Sequence, residues 1–445
     1  MFQMPFRSGY YTTMLVTFAV RNHRSLHERA VLSMEATSDE HLAESRVISA
    51  DGLRLLRSVA LYGPNASGKS NVLDALRIMR NLVTASTASV TVNRPIPVEP
   101  FRLSSVAADE PSEFQVEFLL DGARYRYGFV ADSKAVHAEW LKRKGKGKEA
   151  TLFERERQDI ESNPDFFPEG RERKQFVLPN ALFLPLCAAL NGEVSGKILG
   201  WFQKLRVVSG LNDAGSLYET AMRILKEPTQ KAQVEAFAKR ADLQISGLDA
   251  KEFQPSELNL PHDMPDAVRQ AFLRRMAIHE TEIKTRHVQF DPDGKEVGTV
   301  EFDLKTEESE GTKKFVGLSG PFHEAVNDGA VLVVDEFDAR LHPLLTQAIM
   351  EWFHGPQNTS RAQLIIATHD VLLMDPDRIR RDQVWFCDKD EKGATHLYSL
   401  AEFDPKEVRP TTQFGRQYLL GLFGAVPHPS LLKAEPSQPE QNNHV

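Results

Sequence analysis

The hydrophobic positions of this chain change period several times, and the changes divide it. Residues 15–20 and 30–34 are apolar runs that predict two paired strands ahead of a third, "RSVALY" at 57–62. Beyond residue 70 the period becomes helical, with Val72, Leu73, Leu76 and Met79 on one face. A polar loop at 86–97 leads into "EFQVEFLLDGARYRYGFVAD", which alternates apolar and polar residues on both sides of Asp121-Gly122. Asp-Gly between two such runs predicts a hairpin, because its turn positions tolerate positive φ. "AVHAEWLKRKGKGKEATLFERE" continues as a further hairpin or meander around a basic, glycine-rich turn. From about 180 to 248 the helical period dominates, with a break near Pro228. Heptads are not sustained there, so no long coiled-coil arm is predicted. Strands return at 287–303 around the turn Asp291-Pro-Asp-Gly294. The continuous apolar run 331–334 and the stretch "AQLIIATHD" at 362–370 predict buried parallel strands. No repeat of fixed period is present, and the end from Ala434 has the composition of a disordered tail.

Length and charge narrow this picture. A chain of 445 residues gives about two or three domains. At 41% hydrophobic residues it can bury a sizeable core, and a net charge of −8 excludes a polybasic nucleic-acid coat. Any DNA contact needs a local patch; the basic clusters at 142–148 and 378–381 read as solvated turns. Cys187 and Cys387 match no metal-ligand spacing and read as small apolar residues in a reducing compartment. The longest apolar run, 181–190, contains Pro185 and is too short to span a bilayer. With no signal-peptide pattern at the N-terminus, the expectation is a cytoplasmic protein without membrane contact. Residues 1–13 read as an extension ahead of Met14, where the first strand begins.

Four stretches carry candidate chemistry. Gly63-Pro64-Asn65-Ala66-Ser67-Gly68-Lys69-Ser70 fits G-x-x-x-x-G-K-[ST], between the strand and the helix beginning near Asn71. Glycines let backbone N–H groups curl around phosphate, and the helix start adds partial positive charge. Lys69 can reach the β- and γ-phosphates, and the Ser70 hydroxyl can ligate Mg²⁺. Downstream, the strand 331–334 ends in Asp335 and Glu336, where an α/β sheet presents catalytic groups. Asp335 is the candidate Mg²⁺ contact and Glu336 the candidate for polarising an attacking water. "LIIATHD" presents His369 at a further strand end, as a hydrogen-bond donor to a γ-phosphate. Ser309-Glu-Gly311 opens a predicted helix, with Ser309 as N-cap and free N–H groups around Gly311.

Along the chain the order is P-loop, Ser-x-Gly helix, Asp-Glu strand and Thr-His strand, which resembles ABC-type ATPase heads, the class shared by SMC-like and OLD-like proteins. "MLVTFAVRNHRSL", "LYGPNASGKSNVLDAL", "ESEGTKK", "VDEFDARLHP" and "LIIATHD", with the end-region "FGRQYLLGLFGAVP", resemble the AAA-type ATPases of bacterial abortive-infection and restriction-linked loci. The resemblance implies an α/β P-loop NTPase fold of ABC-head type, a mixed sheet with an antiparallel β-subdomain, plus a helical insertion lobe. The divisions expected are an extension at 1–13, one half of the head at 14–178, a helical insertion at 179–285, the other half at 286–433 and a tail at 434–445. Residues 63–71 become the nucleotide cradle, with Ser70 and Asp335 at Mg²⁺, Glu336 as catalytic carboxylate and His369 as switch histidine. Ser309 and Gly311 become the signature that closes over the nucleotide of a partner subunit, and Asp338 belongs to the D-loop. Two features depart from the pattern. Glu310 and Thr312 stand where transporter heads carry glycine and glutamine, and no Q-loop glutamine is placed, since Gln115 falls in a hairpin strand and 181–191 contains none.

The function implied is an Mg²⁺-dependent ATPase that forms a homodimer or higher oligomer around ATP. It would serve as the sensor and motor half of an anti-phage system, beside a separate effector nuclease. Two alternatives stand. One is an OLD-type nuclease, for which Asp388-Lys-Asp390 has suitable spacing; the other is an SMC-like DNA-repair ATPase.

Overall fold

The computed structural model describes residues 13–85, 94–145, 147–211, 214–241, 243–252, 264–404, 406, 408 and 412–427. The tail expected from 434 and all but residue 13 of the extension expected at 1–13 lie outside them.

Two sheets face each other across one helix. The first is a six-stranded sheet in the order Leu205–Ser209, Val331–Asp335, Gln363–Ala367, Ser58–Tyr62, Val384–Lys389, Thr395–Ser399. Its first five strands are parallel, and the last pairs antiparallel. The second sheet has seven antiparallel strands, Ser112–Leu120 and Met14–Arg21 among its members. The helix Lys69–Thr84 lies between the two sheets. Its Val72, Leu73, Leu76 and Met79 share a core with Phe114, Phe118 and Phe129 of the antiparallel sheet and with Leu61, Val333 and Ile365 of the parallel one. The other face of the parallel sheet, with Tyr62, Leu332, Val334 and Ile366, packs on Phe315, Phe322 and Phe353. Burial on both faces is why these strands read as unbroken apolar runs.

The turns follow their sequence signals. Asp121 (φ 52°) and Gly122 (φ 73°) close the hairpin of Ser112–Leu120 with Ala123–Ala131. Gly294 (φ 80°) lies in the turn joining Glu282–Phe290 to Glu296–Asp303.

The stretch 179–285, expected to be helical, is mixed. It supplies helices Phe183–Ala189, Glu193–Lys204, Ala214–Lys226, Pro228–Lys239 and Asp266–Glu280. It also supplies Leu205–Ser209, an edge strand that pairs in parallel with Val331–Asp335. "LRVVS" is too short for its period to separate strand from helix. A three-stranded sheet, Ile245–Lys251, Glu282–Phe290 and Glu296–Asp303, completes the lobe. Among the described residues no helix is long and apolar enough to cross a membrane.

Candidate nucleotide site

The parallel strands end together at one edge of the sheet, and the candidate residues follow from that. Ser58–Tyr62 runs into the glycine loop, Gln363–Ala367 lies beside it, and Val331–Asp335 lies beside that. The ladder continues past the strand ends: Thr368 N donates to Leu61 O at 3.1 Å and Phe337 N to Ala367 O at 2.9 Å. Lys69, Asp335, Glu336, Asp338 and His369 therefore converge within electrostatic reach of one another.

The loop has the shape of an anion cradle. Gly63 (φ 149°) and Gly68 (φ 104°) hold backbone conformations that L side chains rarely adopt. A Cβ on Gly63 would come within 2.2 Å of Cys387 O, and one on Gly68 within 2.2 Å of Thr395 Oγ1. Asn65, Ala66 and Ser70 face solvent. Lys69 is buried, and its Nζ donates to Gly63 O at 2.8 Å and Pro64 O at 3.1 Å. Desolvation lowers its pKa, while the carboxylates of Asp335, Asp338 and Glu336 act in the opposite sense.

Asn71, expected to touch nucleotide, turns its amide inward to donate to Ser25 Oγ at 2.6 Å. Ser25 belongs to a prop beneath the loop that sequence reasoning missed. The Thr395 hydroxyl is 2.8 Å from both Ser25 Oγ and Ser67 O, and Thr395 N donates to Ser25 O at 2.7 Å. Thr395 is 370 residues from Ser25 and 328 from Ser67, and no motif marks the contact.

The carboxylate strand ends in a strained turn. Glu336 has φ 48°, and its N–H donates to Asp335 Oδ1 at 3.0 Å. Asp338 Oδ1 accepts from His369 N at 3.1 Å, tying the two strand ends together. The His369 imidazole titrates below its ordinary value, first through desolvation and then through the charge of Lys69. It is therefore neutral at pH 7 and able to donate one hydrogen bond.

Ser309 and Gly311 lie at the start of helix Glu310–Asp328. Ser309 Oγ accepts from Thr312 N at 3.1 Å, and a Cβ on Gly311 would meet Arg340 O at 2.8 Å. Among the described residues no hydrogen bond joins them to 63–71. Gln115 sits away from the loop, lining a cavity of about 700 Å³ on the antiparallel sheet with Arg126, Trp140 and Lys142.

The residues set aside for other readings have structural employment. Asp388 Oδ2 accepts from Ala425 N at 3.1 Å, and Asp390 Oδ1 accepts from Ala394 N at 2.8 Å to close its turn. Within the basic cluster at 378–381, Arg380 is not solvated but buried, bonded to Asp382 at 2.6 Å and to the carbonyls of Asp39 and His41.

The donor set fits ATP with Mg²⁺. Magnesium takes few protein carboxylates and completes its shell with phosphate and water. Among the described residues no group of three or more His, Cys, Asp or Glu is placed to hold a metal ion. The exposed Ser70 hydroxyl and Asp335 provide the sparse set that a nucleotide-bound Mg²⁺ needs. Among the described residues the buried Ser67 hydroxyl has no hydrogen-bond partner.

Among solved structures, the SMC head domain from Thermotoga maritima is similar, at 13% identity over 86% of this chain and 98% of that one, with a TM-score of 0.38. An Smc head bound to the C-winged helix domain of ScpA is 13% identical over 88% and 99%, with a TM-score of 0.42. An Smc head with an extended coiled coil from Pyrococcus furiosus is 11% identical over 87% and 96%, with a TM-score of 0.38. No curated protein matches the chain. Residues 58–375 match the family described as "AAA domain, putative AbiEii toxin, Type IV TA system". That match takes in more than half of the chain, from the phosphate-loop strand to beyond His369, and the chain belongs to this family of AAA-type ATPases.

Proposed function

We propose that this protein is an Mg²⁺-dependent ATPase whose sites are each completed by a second copy of the chain. The observation that carries the reading is the convergence of Lys69, Asp335, Glu336, Asp338 and His369 beside an exposed glycine loop. Lys69 leaves the loop carbonyls to bind the β- and γ-phosphates, and the loop N–H groups hold their oxygens. Ser70 and Asp335 would hold Mg²⁺, which when bound neutralises phosphate charge. Glu336 orients and polarises the attacking water, and neutral His369 donates to the γ-phosphate. The exposed cap at Ser309 and the helix start around Gly311 face the nucleotide of the other copy, where free N–H groups and the helix dipole favour an anion.

The family description and the abortive-infection resemblance support a role as the sensing and driving subunit of a cytoplasmic anti-phage system with a separate effector nuclease. Asp388 and Asp390, bound up in turn and loop hydrogen bonds, lend no support to a nuclease in this chain. The purified protein alone is accordingly expected not to cut DNA in Mg²⁺ or Mn²⁺.

The ATPase reading is tested with two variants. Lys69→Ala should abolish ATP binding, whereas Glu336→Gln should bind ATP and fail to turn it over. Equilibrium binding and phosphate release measure the two separately. Wild-type turnover by Glu336→Gln would overturn the assignment.

A further inference from the structure

Lys314 lies in the second turn of helix Glu310–Asp328 and is 1% exposed. A buried ammonium needs acceptors that offset its desolvation. One of them is the main chain of the candidate catalytic carboxylate: Lys314 Nζ donates to Glu336 O at 2.7 Å. Glu336 is held at φ 48°, a conformation that a non-glycine residue keeps only when its surroundings enforce it. The enforcement is visible on each side. Gly210 N donates to Asp335 O at 2.7 Å, Phe337 N donates to Ala367 O at 2.9 Å, and the lysine holds the carbonyl between them.

Gly210 shows how tightly this junction is built. A Cβ there would come within 2.2 Å of Glu336 O, 2.5 Å of Asp335 O and 2.7 Å of Lys314 Nζ. A glycine at that place lets two carbonyls and an ammonium meet. One turn earlier on the same helix, a Cβ on Gly311 would meet Arg340 O at 2.8 Å. The start of the helix thus touches both ends of the turn from Glu336 to Arg340.

We propose that Lys314 is a positioning residue for hydrolysis, fixing the backbone of Glu336 so that its carboxylate is aimed at the attacking water. This rests on the reading of Glu336 given under the proposed function. The lysine is buried and acts on the site through the main chain of Glu336, so its loss should appear in turnover and not in binding.

The experiment compares the full-length wild-type chain with Lys314→Met, Glu336→Gln and the double variant. Methionine keeps the unbranched apolar stem and removes the donor. The readouts are kcat, the Kd of a non-hydrolysable ATP analogue and the thermal midpoint. Lys314→Met should lower kcat about 100-fold, as misplacement of a catalytic group does, with the analogue Kd unchanged. In the Glu336→Gln background it should cause no further loss, because the group it positions is already gone. Wild-type kcat in Lys314→Met beside an inactive Glu336→Gln would overturn the inference alone. So would a loss of analogue affinity equal to the loss of kcat, or an added loss in the double variant. Wild-type turnover by Glu336→Gln would instead overturn the underlying reading. Should Lys314→Met not fold, Gly210→Ala presses a methyl into the same junction and leaves the lysine in place. It should give the same loss confined to kcat, and a fully active Gly210→Ala would contradict the proposal.

Discussion

The hydroxyl of Thr395 lies 2.8 Å from the carbonyl oxygen of Ser67, joining the last strand of the parallel sheet to the underside of the phosphate loop. The same hydroxyl is 2.8 Å from Ser25 Oγ, and Asn71 donates to that serine. The loop thus has a polar floor assembled from both ends of the chain. Thr395→Val keeps the shape of the side chain and removes the hydroxyl. Leaving buried polar groups unpaired costs about 1–3 kcal/mol, so nucleotide affinity should fall about tenfold or more. Calorimetric titration with an ATP analogue measures it, and Thr395→Ser should restore most of the affinity.

A second hydroxyl repairs the helix Glu310–Asp328. Pro321 lies inside Glu310–Asp328 and has no N–H to give to the carbonyl of Gly317. Thr220 Oγ1 reaches that carbonyl at 3.0 Å and the carbonyl of Val316 at 3.2 Å, and accepts from Gly320 N at 2.9 Å. Thr220→Val should cost about 1–3 kcal/mol in urea unfolding, and Thr220→Ser much less. Equal stability of wild type and the valine variant would show that the carbonyl needs no such partner.

Acid should loosen the same helix. His323 is buried against Phe237 and Trp352, and burial lowers its pKa to about 4. The unfolded chain takes up this proton near the ordinary value of about 6.5, so between the two values it binds more protons than the folded chain. Stability is therefore full above about pH 6.5 and falls toward pH 4, by roughly 3 kcal/mol for this one group. His354, lowered well below its ordinary value chiefly by burial, acts in the same direction. Unfolding titrations at several pH values should show a shallower acid slope for His323→Gln than for wild type.

Much of the architecture is legible because its signals are local. Asp121-Gly122 and Asp291-Pro-Asp-Gly294 mark their hairpins, and the run 331–334 marks a strand covered on both faces. Convergence of the motifs follows once those strands lie side by side. What the sequence hides is non-local. Leu205–Ser209 is a strand because an edge of the parallel sheet is open to it, a fact absent from five residues of pattern. Thr395, Ser25 and Lys314 act through contacts that depend on how distant segments pack. Arg380 reads as one charge in a basic run, yet it is buried against Asp382, because burial belongs to the fold and not to the run.

The most direct test of the composite site mixes two inactive proteins. One carries Lys69→Ala. The other carries Ser309→Asp, chosen because aspartate is itself a good N-cap and keeps the helix start folded while placing a negative charge against the γ-phosphate. Each alone should release no phosphate. If Ser309 serves the nucleotide held by Lys69 of the other copy, a mixed dimer gathers both defects in one site and leaves the other intact. With free exchange at equal amounts, half of the dimers are mixed and intact sites make up about a quarter of the total. Single-turnover phosphate release should then recover to about a quarter of the wild-type amplitude. No recovery, with mixed dimers demonstrated in the same sample, would contradict a site shared between two chains.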